Sequence, residues 1–310
     1  FYIKGEFKKI NSNYYNLTAI LPNILGNSLP SSLVKLGNVN LVGDVELTSD
    51  YINSDVTINS VLGTIITNLS IQDLSNIDNA TYQGNVTLND FNLGTFINES
   101  EIGKVTLNLD VEGQGFNEKY LNTNVKGKVS QFYYNHYNYT SITVDGKMKM
   151  PYFKGYFNSN DPNLRMDFDG LVDLSSKVKN YNFKANVDYA DLHALQFSKI
   201  DSTSIFKGKV EFLAKGNTLD DLEGELQVEN VSYQNDRDNY YFEDFQLNSS
   251  FDKDRVRTIT INSNDIISGK VVGKFKINEV RKIVENAVGS LYANYSPNKL
   301  QKGQFLDFNF

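Results

Sequence analysis

The feature that most constrains this chain is a recurring pentapeptide: glycine, then polar, apolar, polar and apolar residues. It occurs at Gly37-Asn-Val-Asn-Leu41, Gly43-Asp-Val-Glu-Leu47, Gly84-Asn-Val-Thr-Leu88, Gly103-Lys-Val-Thr-Leu107, Gly146-Lys-Met-Lys-Met150, Gly208-Lys-Val-Glu-Phe212, Gly224-Glu-Leu-Gln-Val228 and Gly273-Lys-Phe-Lys-Ile277. With 21 glycines and 40% hydrophobic residues, chance would supply roughly one such match. Strict alternation makes strands with one wet face and one dry face. The alternation continues without glycine through Leu164-Arg-Met-Asp-Phe168 and Tyr181-Asn-Phe-Lys-Ala-Asn-Val187. Turn clusters such as Asn158-Ser-Asn-Asp-Pro162 and Asn235-Asp-Arg-Asp-Asn239 separate such segments.

This pattern predicts a mainly β chain with more antiparallel strands than the roughly ten an open sheet carries without curling or closing. Its dry face must then be hidden in a closed barrel, in a two-sheet sandwich, or in a long sheet folded lengthwise into a trough. Irregular motif spacing opposes a fixed-period solenoid or propeller. No Pro/Ser linker or charge block interrupts the pattern, so residues 1–310 are expected to form one continuous unit, with β repeats through 1–277.

Two segments depart from alternation. Asn278 to Tyr295 sets Val280, Ile283, Val284, Ala287, Val288, Leu291 and Tyr295 at helical spacing, with Asn278 as N-cap and Pro297 beyond the end. An amphipathic helix over 278–295 is therefore expected. It would cover part of the sheet or its edge, or meet a membrane surface or partner, before a terminal strand in 296–310. Leu17 to Leu36 is apolar but broken by Pro22 and Pro30, which predicts short helical turns near 20–36 that plug or bend the sheet.

Composition removes most chemistry. There is no Cys and there are only 2 His, so disulfides, thiolate metal sites, a cysteine nucleophile and a zinc cluster have no residues to build them. The net charge of -7 opposes a nucleic-acid surface. No run approaches the roughly 18–20 apolar residues of a transmembrane helix, and the start at Phe1 is expected of a piece of a longer polypeptide. His136 and His193 lie far apart, with no serine or metal-ligand spacing around them. Asp167 and Asp169 flank Phe168 on an alternating strand and should both face solvent. Asp161-Pro-Asn-Leu-Arg-Met166 lacks the glycine of a calcium loop, and Gly113-Gln-Gly115 reads as a turn. The expectation is a non-enzyme without metal or cofactor.

What remains is an extended dry surface. Its candidate residues are Val105, Leu107, Leu109 and Val111; Leu164, Met166 and Phe168; Phe183, Ala185 and Val187; Val210 and Phe212; and Phe275 and Ile277. They either fill a barrel or sandwich core or line a groove too wide for its own side chains, one that takes acyl chains instead.

Four stretches carry a resemblance. They are Tyr82-Gln-Gly-Asn-Val-Thr-Leu-Asn-Asp-Phe-Asn-Leu-Gly94, Val105-Thr-Leu-Asn-Leu-Asp-Val-Glu-Gly-Gln-Gly-Phe116, Tyr134-Asn-His-Tyr-Asn-Tyr139 and Ser159-Asn-Asp-Pro-Asn-Leu-Arg-Met-Asp-Phe-Asp-Gly170. Together with Leu291-Tyr-Ala-Asn-Tyr295, they resemble the central to C-terminal region of TamB-like proteins of Bacteroidetes, in the AsmA-like superfamily. The resemblance extends over nearly the whole chain, and its motifs are β-repeat motifs rather than catalytic ones. It implies an elongated antiparallel sheet curled into a taco-like hydrophobic groove. It further implies a periplasmic protein of the cell envelope, anchored in the inner membrane through a segment outside these residues. Such a protein would carry phospholipids by their acyl chains between inner and outer membrane. It would also support outer-membrane protein assembly with a TamA-like barrel partner bound through regions outside this chain. The alternative reading of the residues is a non-catalytic structural or adhesive β-protein of the envelope or surface.

Overall fold

In the computed structural model, which describes residues 2–20, 31–74, 78–116, 120–149, 151–289, 303 and 305–309, the alternating segments become seventeen strands of one antiparallel sheet. The first nine are β1 (Tyr2–Asn13), β2 (Asn38–Thr48), β3 (Tyr51–Ser60), β4 (Gly63–Gln72), β5 (Thr81–Asn92), β6 (Ile102–Gln114), β7 (Asn122–Tyr134), β8 (Tyr137–Lys149) and β9 (Tyr152–Asp161). The remaining eight are β10 (Leu164–Asp173), β11 (Asn180–Asp191), β12 (Ser204–Lys215), β13 (Glu223–Asn235), β14 (Asn239–Phe251), β15 (Arg257–Asn262), β16 (Gly269–Lys274) and β17 (Phe305–Asn309). Each strand pairs only with the strands before and after it in sequence, so the sheet is a meander from β1 to β17. The two end strands do not pair with each other, so the sheet is not closed into a barrel. Seventeen strands at about 4.8 Å spacing give a sheet about 77 Å long across the strands.

The motif glycines shape this sheet. Gly84 has φ +149°, and a Cβ there would stand 1.9 Å from the carbonyl oxygen of Asn68 on the neighbouring strand. Only glycine permits that approach. Gly43 repeats the geometry, with Asp55 O 2.1 Å from where its Cβ would lie. Register shifts interrupt the ladders between β5 and β6, β6 and β7, β11 and β12, and β12 and β13, and such bulges bend and coil strands. The sheet curls accordingly. Val39 on β2 and Phe132 on β7 pack against one cluster of Leu36, Leu62, Phe91 and Val105, although five strand spacings would hold them about 24 Å apart on a flat sheet.

Short helical pieces sit at the strand ends. Helix α1 (Tyr14–Ile20) follows β1, a 3-10 turn covers Ser31–Leu36, and α2 (Leu93–Ile97) lies between β5 and β6. Of the helical turns expected near 20–36, the part over 21–30 lies outside the described residues. The expected C-terminal helix is α3 (Val280–Gly289), preceded by a 3-10 turn at Ile277–Glu279. Asn278 lies inside that turn rather than capping α3, and 290–295 fall outside the described residues.

Candidate functional site

The site is the dry face itself, built row by row across the strands. In an antiparallel sheet, directly opposed residues point to the same side, so the register can be followed from strand to strand. One row runs through Val86, Leu109, Gly127, Val144, Phe157, Phe168, Ala185, Val210, Val228 and Phe245 on β5 to β14. It reaches back through Thr67, Val56 and Gly43 to Phe7 on β1. A second row begins at Gly5 and passes through Val111, Val125, three consecutive glycines (Gly146, Gly155 and Gly170), then Phe183, Phe212, Leu226, Leu247 and Ile261. A third spans all seventeen strands from Ile3 to Phe308 by way of Leu47, Tyr82, Met148, Phe153, Val172, Tyr181 and Ile259. None of the three rows holds a charged residue.

The opposite face is mainly polar, with Val42, Ile66, Leu171 and Leu213 as apolar members. Glu6, Asp44, Asp55, Asn68, Asn85, Asp110, Lys126 and Asp145 form one of its rows. Asp167 and Asp169 lie on this face as alternation requires. Asp167 accepts hydrogen bonds from Tyr156 and Asn158, which hold its carboxyl below the usual range. Open hollows also occur here, one of about 380 Å³ bordered by Ser70, Gln83, Glu112, Asn124 and Lys147. They are lined by scattered polar groups. Among the described residues, no group of acidic or histidine side chains could hold a metal ion.

How far the dry face is covered varies along each strand. At the strand ends carrying α2 and the 192–196 turn, here called rim A, it is filled. Leu36, Leu62, Phe91 and Val105 form a buried cluster under the Ser31–Leu36 turn and α2, tied in place by Lys35 Nζ donating to Phe96 O at 2.7 Å. Nearby, Leu195 (0% exposed) closes over Tyr139, Val187 and Ala190. Toward mid-strand, Leu109, Val111, Phe183, Val210 and Phe212 shield one another only partly. Ring contacts here join neighbouring strands: Phe157 stacks on Phe168 at 4.9 Å, Phe168 meets Phe183 in a tilted pair at 5.2 Å, and Phe183 meets Phe212 edge-on at 5.6 Å. The accessible surface, 18622 Å² for 35.1 kDa, exceeds the about 13,000 Å² of a compact monomer of that mass.

Among the described residues, Asp161 and Arg257 are charges on the dry side of the strands, and both lie at the rims in hydrogen-bond networks. Asp161, at rim A, accepts from Tyr137 Oη at 2.5 Å, from Asn163 N at 2.8 Å, and from both N and Oγ1 of Thr140 at 2.8 Å. Burial opposes its charge, but these bonds prevail and hold the carboxyl below its ordinary value. Burial and the Asp161 carboxylate push the Tyr137 hydroxyl up to about 12. Arg257, near the opposite strand ends (rim B), donates to Ser249 Oγ at 2.9 Å and to the carbonyls of Leu219 and Leu222 at 2.9 and 3.1 Å.

The candidates read from the sequence divide by this geometry. Leu109, Val111, Phe168, Phe183, Ala185, Val210 and Phe212 lie in the continuous rows. Val105 and Leu107 belong to the rim A cluster, while Leu164, Met166 and Val187 join the cluster around Leu195. Phe275 and Ile277 leave the sheet, because β16 ends at Lys274 and the Ile277 N–H donates to Asp220 Oδ1 at 2.8 Å. Phe157 and Phe245 complete the central row without a glycine motif to announce them. Val86 and Val228 do sit in such motifs, and the alternation alone could have placed them. His136 and His193 are exposed in turns.

No family model matches this chain, and no curated protein or solved structure matches it.

Proposed function

We propose that this chain is a segment of a TamB-like lipid conduit: a curled sheet whose dry face carries phospholipid acyl chains across the envelope, between inner and outer membrane, without covalent chemistry. The observation that carries the reading is the set of three uncharged rows running across fourteen to seventeen strands, in which Leu109, Val111, Phe183, Val210 and Phe212 stay only partly shielded although Val56, Val125, Phe168 and Ala185 beside them are buried. A packed core would bury those side chains fully. A continuous apolar path offers an acyl chain the same environment at every strand, so it can slide without a deep trap while its headgroup stays in water. Association with a TamA-like barrel partner and support of outer-membrane protein assembly would act through regions outside these residues.

The test is mass spectrometry of an organic extract of the gently purified chain beside a control protein of similar charge. Co-purified phospholipid, at levels well above the control, is the expected result. Control-level lipid would overturn the conduit and leave a structural scaffold.

A further inference from the structure

Some lysines of the wet face are paired with acids across the strands. Ion pairs join neighbouring strands at Lys4–Glu46, Lys104–Asp90, Lys126–Asp145, Lys184–Glu211 and Lys215–Glu223, at 2.6 to 4.0 Å. Lys147 on β8 and Lys154 on β9 are set instead directly opposite one another by the register. Like charges in that relation repel, and the row offers no relief: Asn124 flanks Lys147 and Leu171 flanks Lys154. The nearest acid along the row, Glu112, is two strands away from Lys147. Lys149 adds a third cation on the same face of β8, lying over the Tyr152 ring.

More positive charge converges on the same rim B corner. The Leu174 N–H donates to Pro151 O at 3.0 Å, tying the β10–β11 loop, which carries Lys177 and Lys179, to the β8–β9 turn. Asp173 opens the β10–β11 loop, and its carboxylate is taken up by Ser175 and Ser176. Exposed apolar side chains, Leu174 and Val178, stand among these lysines. A chain of net charge -7 thus gathers five lysines at this corner, interleaved with apolar groups, and of the acids around them Asp145 is paired with Lys126, Asp221 is held by Asn217 and Thr218, and Asp169 stands diagonal to Lys154.

We infer that this corner is a docking surface for an anionic lipid bilayer. Negative headgroups would relieve the Lys147–Lys154 opposition, and Leu174 and Val178 would enter the interface between headgroups and acyl chains, the combination that holds proteins on charged membranes. A soluble anion would engage the lysines but leave the apolar groups without a role. The inference goes beyond the conduit reading and does not depend on it, since docking requires no lipid inside the groove.

Co-sedimentation of the full chain with phosphatidylcholine vesicles, with and without about one-third phosphatidylglycerol, tests it. Binding should require the anionic lipid and weaken with salt. The Lys147→Gln/Lys149→Gln/Lys154→Gln variant should bind about 100-fold more weakly, at about five-fold per lysine. Leu174→Ser/Val178→Ser, with every lysine kept, should also bind more weakly. A thermal melt matching the parent confirms that the variants are folded; if the triple variant fails that check, the loop variant Lys177→Gln/Lys179→Gln gives the same reading. Equal binding to both vesicle types, no binding by the parent chain, or full-strength binding by the lysine variants overturns the proposal. So does complete competition by millimolar inorganic phosphate, which would mark a phosphate site instead. Lipid in the organic extract is scored separately, so loss of docking and loss of groove lipid are distinguishable.

Discussion

Strand β6 holds two regions of opposite character within a few residues. Val105 is 2% exposed, locked among Leu36, Leu62 and Phe91, whereas Leu109, next but one beyond Leu107 on the same face, is only half-buried, facing Gly127 on one side and Val86 on the other. The same residue types on the same face of the same strand are core in one place and lining in the other. What differs is the inserted plug, the Ser31–Leu36 turn with α2. The sheet does not pair its end strands to make its core; it borrows short non-strand segments, the plug at rim A and Leu74 over Leu47 at rim B, and leaves Leu109, Val111, Phe183, Val210 and Phe212 between them only partly shielded.

That contrast can be broken most severely at the plug. Phe91→Ala removes a ring at the centre of the rim A cluster and should cost about 3–5 kcal/mol by urea unfolding; a loss below about 1 kcal/mol would mean that the plug is not a core. A smaller effect on stability is expected at mid-strand. Leu109→Arg should lower stability by less than about 1 kcal/mol, because the long side chain can carry its charge out of an open groove, while reducing lipid recovered in the organic extract. A collapsed melting transition would show that this region is filled like the plug, since an unpaired buried charge is expensive.

The finest comparison uses pH. Tyr137 keeps its proton to about 12 in the folded chain but only to about 10 when unfolded, so between those values the unfolded state releases more protons and stability falls as pH rises. Asp161 acts at the other end of the scale: its stabilising contribution is present above 3.8 and is lost as pH falls through its lowered folded value. Tyr137→Phe should flatten the alkaline slope in urea titrations, while Leu109→Ala, in a region without titrating groups, should leave both slopes unchanged. A flattened slope in the Leu109 variant would mean that the two regions are coupled.

The strands and the identity of the dry face were legible because alternation is a local signal that the sheet obeys. Gly84, Val86 and Leu88 all keep to one face, as the pentapeptide requires. Legibility stopped where the backbone departs from period two. Phe91 returns to the dry face only through the shift in register after Leu88, where Asp90 takes φ +50°. Phe275 and Ile277 keep the alternating spelling after the chain has left the sheet. Nor could the sequence choose between barrel, sandwich and trough, since that depends on whether β1 meets β17. The opposition of Lys147 and Lys154 was equally hidden, for it exists only in the register between two strands.

The meander has one more consequence. Because every strand finds its partners immediately before and after it in the chain, assembly never waits for a distant segment, and each completed edge is the template for the next strand to emerge. Energetically such a sheet behaves as a one-dimensional array, in which nearest-neighbour terms dominate. Adding or deleting a hairpin would change the length of the structure without rewriting its remainder, so reach becomes a quantity that gene duplication can adjust in steps of two strands, or about 10 Å.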